Sequence, residues 1–311
     1  MNRVTLRQLE YLVAAAETGS VTAAAQRMYL SQSGISTALA DLEASLGIQL
    51  FIRHARGLTL TPGGQRILTE SRLLLRQADD LQNVATDFTE SFVGRLSVGC
   101  YATLAPLLLP GVIAAYLEDH PAVDLSVTIG SNAELRDRLH DGTCDLAVLY
   151  DYSDLDDQMP TDVEKIELGR FPPHVALPAG HPLADREVVP LAELAQEPLV
   201  LFDLPPGGKY FLSMFHREGI EPTIRLRTTD FELVRGLVAR GVGYSLLTQH
   251  PEVDVSYENL PIVRRPLQGF TDGLSVVVAH VSGARLNRRM SSFIDIARNV
   301  IGPAGQERAE R

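Results

Sequence analysis

The sequence predicts an α/β protein in three parts: a small helical head closed by a β-hairpin, one long helix, and a two-lobed body of alternating strands and helices. Three observations carry that reading. The head is basic and the body acidic: residues 1–66 hold six Arg against four acids, whereas the rest of the chain holds 22 bases and 35 acids and the total is −11. A heptad spacing of apolar and small residues follows the head. Beyond it, short apolar runs alternate with helical spacings, as strands covered by helices require.

In the head, assigned to residues 1–62, Leu6, Leu9, Leu12 and Val13 recur at helical spacing and the pattern stops at Thr18-Gly19. Ser20 stands as an N-cap before an Ala-rich stretch from Val21 to Met28, small enough for close packing. Ser31 caps a third helix, whose apolar positions Ile35, Leu39, Leu42 and Leu46 fall four, three and four apart before Gly47. Two short helices joined by a tight turn make a helix-turn-helix, whose second member suits the major groove of DNA. Near its N-terminus lie Ser31, Gln32, Ser33, Ser36 and Thr37, and Gln and Ser can read base edges there. Leu50 to Thr61 reads as two strand-like runs around a basic turn, a wing, from which Arg53 and Arg56 would reach phosphates or the minor groove. An acidic body is repelled by phosphates, so DNA contact belongs to the head.

Residues 63–92 form the linker. Ile67, Ser71, Leu74, Ala78, Leu81, Ala85, Phe88 and Phe92 are separated alternately by four and three residues, which predicts a two-stranded coiled coil and hence a homodimer. The alternative is an amphipathic helix lying on its own domain; Ser71 and Ala78 favour close helix approach.

The body, residues 93–301, starts with strands at Leu96–Cys100, Val123–Ile129 and Asp145–Tyr150, separated by helices at Leu107–Tyr116 and Ala133–Leu139. A second set runs through Val175–Leu177, Leu199–Phe202, helices at Tyr210–Glu218 and Phe231–Arg240, and Tyr244–Leu247. The strand Leu274–Ala279 and the helix Leu286–Ile301 return to the first lobe. The expectation is a largely parallel sheet and two lobes, about 93–167 with 270–301 and about 168–269. Crossovers near Leu168-Gly169 and Leu267–Gly269 would leave a ligand cleft between them. The tail 302–311 is expected to be disordered.

Composition narrows the function classes. No run approaches about 20 apolar residues, and the N-terminus enters a helical pattern without the apolar run of a signal peptide, so the reading is a cytoplasmic protein with no membrane partner. Only Cys100 and Cys144 are present, too few for a disulfide framework or a metal site of Cys-x-x-Cys spacing. Both lie in or beside apolar strands without a basic neighbour, against a thiol redox sensor. The rival reading, an enzyme or solute-binding protein on the two-lobed body, finds no P-loop, no Gly-x-Ser-x-Gly and no paired-His motif; the eight His are scattered. No cofactor and no catalytic or metal residues are expected.

Gly19-Ser20, Ala23-Ala24-Ala25, Ser31-Gln32, Ser36, Leu42-Glu43, Leu46-Gly47, Leu50-Phe51, Arg53 and Leu60–Gly64 stand in the order found in LysR-type transcriptional regulators, which the chain resembles over nearly its full length. In the body, Leu108–Pro110, His120-Pro121, Asp145–Ala147, His181–Leu183 and Leu237–Gly243 look like that family's sensing domain, which is of periplasmic-binding-protein type. The resemblance implies a sequence-specific DNA-binding regulator controlled by a small polar metabolite bound between the lobes, working on promoter DNA as a dimer and homotetramer, with RNA polymerase as a further partner. Ser33, Thr37 and Thr248 depart from the common family residues, and Tyr150 stands where some carboxylate-sensing relatives carry Arg. By family position the effector residues are Thr103, Ser131, Asn132, Phe202, Thr228, Thr229 and Asp230. Hydroxyls and backbone amides at two helix N-termini make a site for an anion or polar group; capping alone would also place Ser, Thr, Asn and Asp there.

Overall fold

A computed structural model describes residues 4–54, 57–86, 92–155, 163–283 and 286–309. It divides into two units, one of residues 1–91 with 137–144, the other of 92–136 with 145–311.

The first unit opens with α1 (Leu6–Thr18), held at its start by a reciprocal box in which Thr5 Oγ1 accepts from Gln8 N at 3.3 Å and Gln8 Oε1 accepts from Thr5 N at 3.0 Å. Ser20 caps α2 (Val21–Arg27) and Ser31 caps α3 (Gln32–Leu46), as the spacing predicts. Leu12, Ile35, Leu39, Leu42 and Leu50 meet in the core with Ala15 and Ala24; each large side chain contributes about 2 kcal/mol of burial. The wing is an antiparallel pair, β1 (Phe51–His54) and β2 (Gly57–Leu60), tied to the end of α1 where Leu58 N donates to Gly19 O at 2.7 Å. Next comes α4 (Pro62–Thr86), which packs on α1. At Gly64 its backbone lies so close to Leu50 that a Cβ would overlap the Leu50 carbonyl. Gly64→Ala should therefore lower stability by about 1–3 kcal/mol, read as a fall in the thermal midpoint.

The heptad of α4 divides between two faces. Ser71 is buried, its Oγ donating to Ile67 O at 2.6 Å, and Leu68 and Leu75 join the core of the head. Leu74 and Leu81 are 46% and 73% exposed. Ser71 turns inward because its small side chain lets α4 approach the head. Phe92 stands in the second unit, stacked on His120 at 4.0 Å, and the expected position Phe88 lies outside the described residues, as does Ala85's side chain.

The second unit starts with β3 (Gly94–Tyr101), α5 (Ala105–Asp119), β4 (Val123–Gly130), α6 (Asn132–His140), β5 (Leu146–Tyr150) and β6 (Val163–Phe171). The chain then enters the second lobe through β7 (His174–Pro178), α7 (Leu191–Leu194), β8 (Pro198–Phe202), α8 (Gly207–Arg217), β9 (Thr223–Thr228), α9 (Phe231–Ala239), β10 (Ser245–Leu247) and β11 (Ile262–Pro266). It returns by β12 (Leu274–Val281) and α10 (Arg288–Ala309). The first sheet has the order β4-β3-β5-β12-β6, and it is mixed rather than largely parallel: β3 runs parallel to β4 and β5, but β12 is antiparallel to both neighbours. A strand coming back from the other lobe has to run against those that left. In the second lobe β7 is antiparallel to β10 and β11, while β8 and β9 are parallel. The first crossover falls at Pro172-Pro173 rather than Leu168-Gly169, because β6 pairs with β12 as far as Phe171 and the two prolines supply no N–H to continue the ladder. The second falls between Pro266 and Leu274. The terminal helix passes Gly302, where a disordered tail was expected, and continues to Ala309. Each lobe buries its own core, the second around Leu201, Phe211, Met214, Phe215, Val238 and Leu246. Cys100 and Cys144 are both buried, and burial pushes the Cys100 thiol far up, away from thiolate chemistry.

Candidate functional site

On the head, the start of α3 presents Gln32, Ser33 and Thr37 to solvent, with Ser36 half-buried on the same side. Ser31 is occupied as the cap: its Oγ accepts from Gly34 N at 3.1 Å and shares a 3.2 Å hydrogen bond with Ser33 Oγ. Gln32 makes no hydrogen bond among the described residues, so both ends of its amide face outward. The Arg53 Nη2 donates to Ser36 Oγ at 3.4 Å, which brings the wing strand β1 beside α3. Arg56 lies outside the described residues. Arg27 is held by Glu17 at 2.7 Å and is not a free phosphate ligand. Sequence reasoning passed over Tyr29, in the turn before α3, which is 96% exposed at a positive φ of 54°. A bulky residue in that backbone region is disfavoured, and the signal available was an aromatic placed in a turn between two polar helices.

In the body, the lobes meet along a row of tyrosines. Tyr101 and Tyr150 lie edge to face at 5.7 Å, Tyr150 and Tyr152 are tilted against each other at 5.9 Å, and Tyr152 and Tyr210 lie edge to face at 5.9 Å. Hydrogen bonds among the described residues join the first lobe to the second. Tyr101 OH donates to Leu204 O at 3.2 Å, Gln249 Nε2 donates to Thr103 Oγ1 at 2.7 Å, and Thr248 Oγ1 donates to Tyr150 OH at 3.1 Å. Asn132 Nδ2 donates to the Tyr150 carbonyl at 3.3 Å. Burial raises the Tyr150 and Tyr152 phenols and takes Tyr210 to about 12, so near neutral pH these hydroxyls remain protonated.

Of the expected effector residues, Thr103 and Asn132 come together around Tyr150, and both are buried. Ser131 is engaged with Glu134, whose Oε2 accepts from Ser131 N at 2.8 Å and from Ser131 Oγ at 2.9 Å. Phe202 belongs to the second lobe's core, 2% exposed and edge-on to Phe231 at 6.4 Å. Thr228 Oγ1 accepts from Asp230 N at 3.2 Å, and Asp230 Oδ1 accepts from Leu233 N at 2.7 Å as the cap of α9. Thr229 is exposed. Tyr101, Tyr150, Thr248 and Gln249 were not anticipated; only Thr248 and Tyr150 carried a signal, as departures from the resembled pattern. Beyond Tyr210 the row opens into a cavity of about 590 Å³ lined by Asp151, Lys165, Glu167, Arg170 and Arg217. Its charges largely pair with one another, Lys165 with Asp151 at 2.8 Å and Arg170 with Glu167 at 3.2 Å.

Comparison with known proteins places both parts. The family model for the bacterial regulatory helix-turn-helix protein, lysR family, matches residues 6–65, and that for the LysR substrate binding domain matches residues 89–302. The HTH-type transcriptional regulator CysB of Burkholderia cenocepacia is 30% identical over 289 residues, 89% of this chain and 87% of that protein. Among solved structures, HinK, a LysR family transcriptional regulator from Pseudomonas aeruginosa, is 34% identical with a TM-score of 0.65, covering 97% of this chain and 100% of its own. Full-length CbnR complexed with its target DNA shares the fold at 24% identity and a TM-score of 0.55, over 96% of this chain and 100% of that one.

Proposed function

The chain belongs to the LysR family of transcriptional regulators, and from that premise we propose how its residues divide the work. It is a DNA-binding regulator with an effector-binding domain, not an enzyme. Gln32, Ser33, Ser36 and Thr37 on α3 read base edges, Ser31 holds the helix start, and Arg53 with Arg56 on the wing grips phosphate or the minor groove. Leu74, Ala78 and Leu81 form the seam of a homodimer, which pairs again through the body into a tetramer on promoter DNA. The working place is the cytoplasm; no helix among the described residues is long and apolar enough to cross a membrane. RNA polymerase is a further partner.

The effector, a small polar metabolite, binds between the lobes. The observation that carries this reading is the Gln249–Thr103 hydrogen bond, a buried polar link from lobe to lobe at one of the residues that the family resemblance assigns to the effector. A ligand seated there replaces that link and shifts the balance of lobe arrangements by its differential affinity for the two states, typically about 1–3 kcal/mol. Ser131, Asn132, Phe202, Thr228, Thr229 and Asp230 shape the remaining wall. Thr103→Val removes the hydroxyl at nearly constant volume, so it should abolish the effector response while leaving DNA binding intact. Titration of metabolites by calorimetry, with footprinting of the promoter, checks this; wild-type effector affinity and an unchanged footprint response in Thr103→Val would refute the assignment.

A further inference from the structure

Resting on the reading that the interlobe seam holds the effector, we propose that this effector presents N–H donors and carries no negative charge: a small amine or amide with a flat apolar face. The first ground is a pair of unused acceptors. Asn132 and Gln249 are 4% and 2% exposed, and among the described residues neither Asn132 Oδ1 nor Gln249 Oε1 has a hydrogen-bond partner. The orientation of Asn132 is set by its surroundings, because its nitrogen must face the Tyr150 carbonyl; its free end is therefore the oxygen. Gln249 Nε2 lies 2.7 Å from Thr103 Oγ1, which leaves its oxygen as the second acceptor, though it is the Asn132 oxygen whose orientation the carbonyl fixes. Buried carbonyl oxygens left unpaired are costly, and a ligand N–H relieves them where a carboxylate cannot.

The second ground is that the helix N-termini bordering the seam already hold carboxylates of this chain. Glu134 accepts from Ser131 N at the start of α6, and Asp230 accepts from Leu233 N at the start of α9. The Asp203 carboxylate lies against the start of α8, where a Cβ on Gly208 would overlap its Oδ1. At α5 the second residue is Pro106, which has no N–H to offer. The positive helix ends that ordinarily attract an anion are thus neutralised, and an anionic effector would meet these carboxylates. The third ground is the row of four tyrosines, whose π faces attract a cation or stack on a flat ring. Burial raises both the Tyr150 and Tyr152 phenols, and the side chains of Thr248 and Gln249 hydrogen-bond to Tyr150. Arg217 acts on Tyr210, at the outer end of the row, and lies over the Phe270 ring at 5.3 Å.

The test uses three probes that share one ring: benzylamine, benzamide and benzoate, each titrated into the full-length protein by calorimetry. Benzylamine and benzamide should bind about tenfold more tightly than benzoate, and Gln249→Leu should weaken both by about tenfold. Gln249→Glu is isosteric; with its thermal midpoint measured alongside, it should tighten benzylamine and further weaken benzoate. Benzoate binding as well as or better than the other two, while still responding to the Gln249 variants, would overturn the donor inference and leave the cleft reading standing. Amine binding indifferent to both variants would overturn the cleft reading with it. No binding of benzylamine or benzamide at about 10 mM would also overturn the inference.

Discussion

Leu74→Asp combined with Leu81→Asp will break the pairing through α4, lowering the sedimentation mass of the assembly and its affinity for its promoter by about 10²–10⁴-fold. Both side chains stand exposed on α4, seven residues apart, and neither belongs to the core of the head. In a dimer they would face their counterparts in an apolar seam, where two added carboxylates per helix have no partner and cannot be desolvated cheaply. The affinity loss follows because the second head of an α4-paired dimer binds at the high effective concentration set by the first, and a head without its α4 partner loses that advantage. The variant's thermal midpoint should shift only through loss of the seam, since Leu68, Ser71 and Leu75, which fasten α4 to the head, are untouched. Sedimentation mass is the measurement; a mass equal to that of the wild type would dismiss the seam.

Gln32→Ala and Arg53→Ala should fail in different ways. Gln32 sits exposed in the first turn of α3 with its amide uncommitted, the geometry for a bidentate contact to an adenine edge. Its removal should cost about 1–3 kcal/mol for each head and relax discrimination at one base pair of each half-site. Arg53 is held beside Ser36 on the wing, and its loss should weaken binding to every sequence alike, reducing the salt dependence by about one counterion per head. Affinities measured at several salt concentrations on the promoter and on a point-mutated promoter separate the two. Equal discrimination by Gln32→Ala and wild type would displace the reading surface from α3.

What was legible beforehand follows the range of the interactions. The head's helices could be bounded from Ser20, Ser31 and Gly47 because caps act within one turn. The order of strands and helices in the body was legible from apolar runs such as Leu146–Tyr150, buried throughout. Strand β6 was not anticipated, since Glu164, Lys165, Glu167 and Arg170 interrupt its apolar positions at the edge of the sheet. Strand direction was misjudged because nothing local in Leu274–Val281 says that it arrives from the other lobe. On α4 the heptad spacing could not tell Ser71, which faces the head, from Leu74, which faces out. The cleft was the least legible part. Thr103 and Gln249 are 146 residues apart in the chain, and nothing local in Tyr101, just past the strand read at Leu96–Cys100, or in Tyr150 says that the fold sets their rings together.

The most direct test of the central claim, a DNA-reading head on a ligand-sensing body, is selection of bound duplexes from a randomised pool by the full-length protein, repeated with Gln32→Ala. The account predicts that the wild type enriches a motif with two-fold symmetry, its half-sites spaced for two recognition helices, and that Gln32→Ala loses base preference at symmetry-related positions. Enrichment of no sequence, or an identical motif from both proteins, would contradict it.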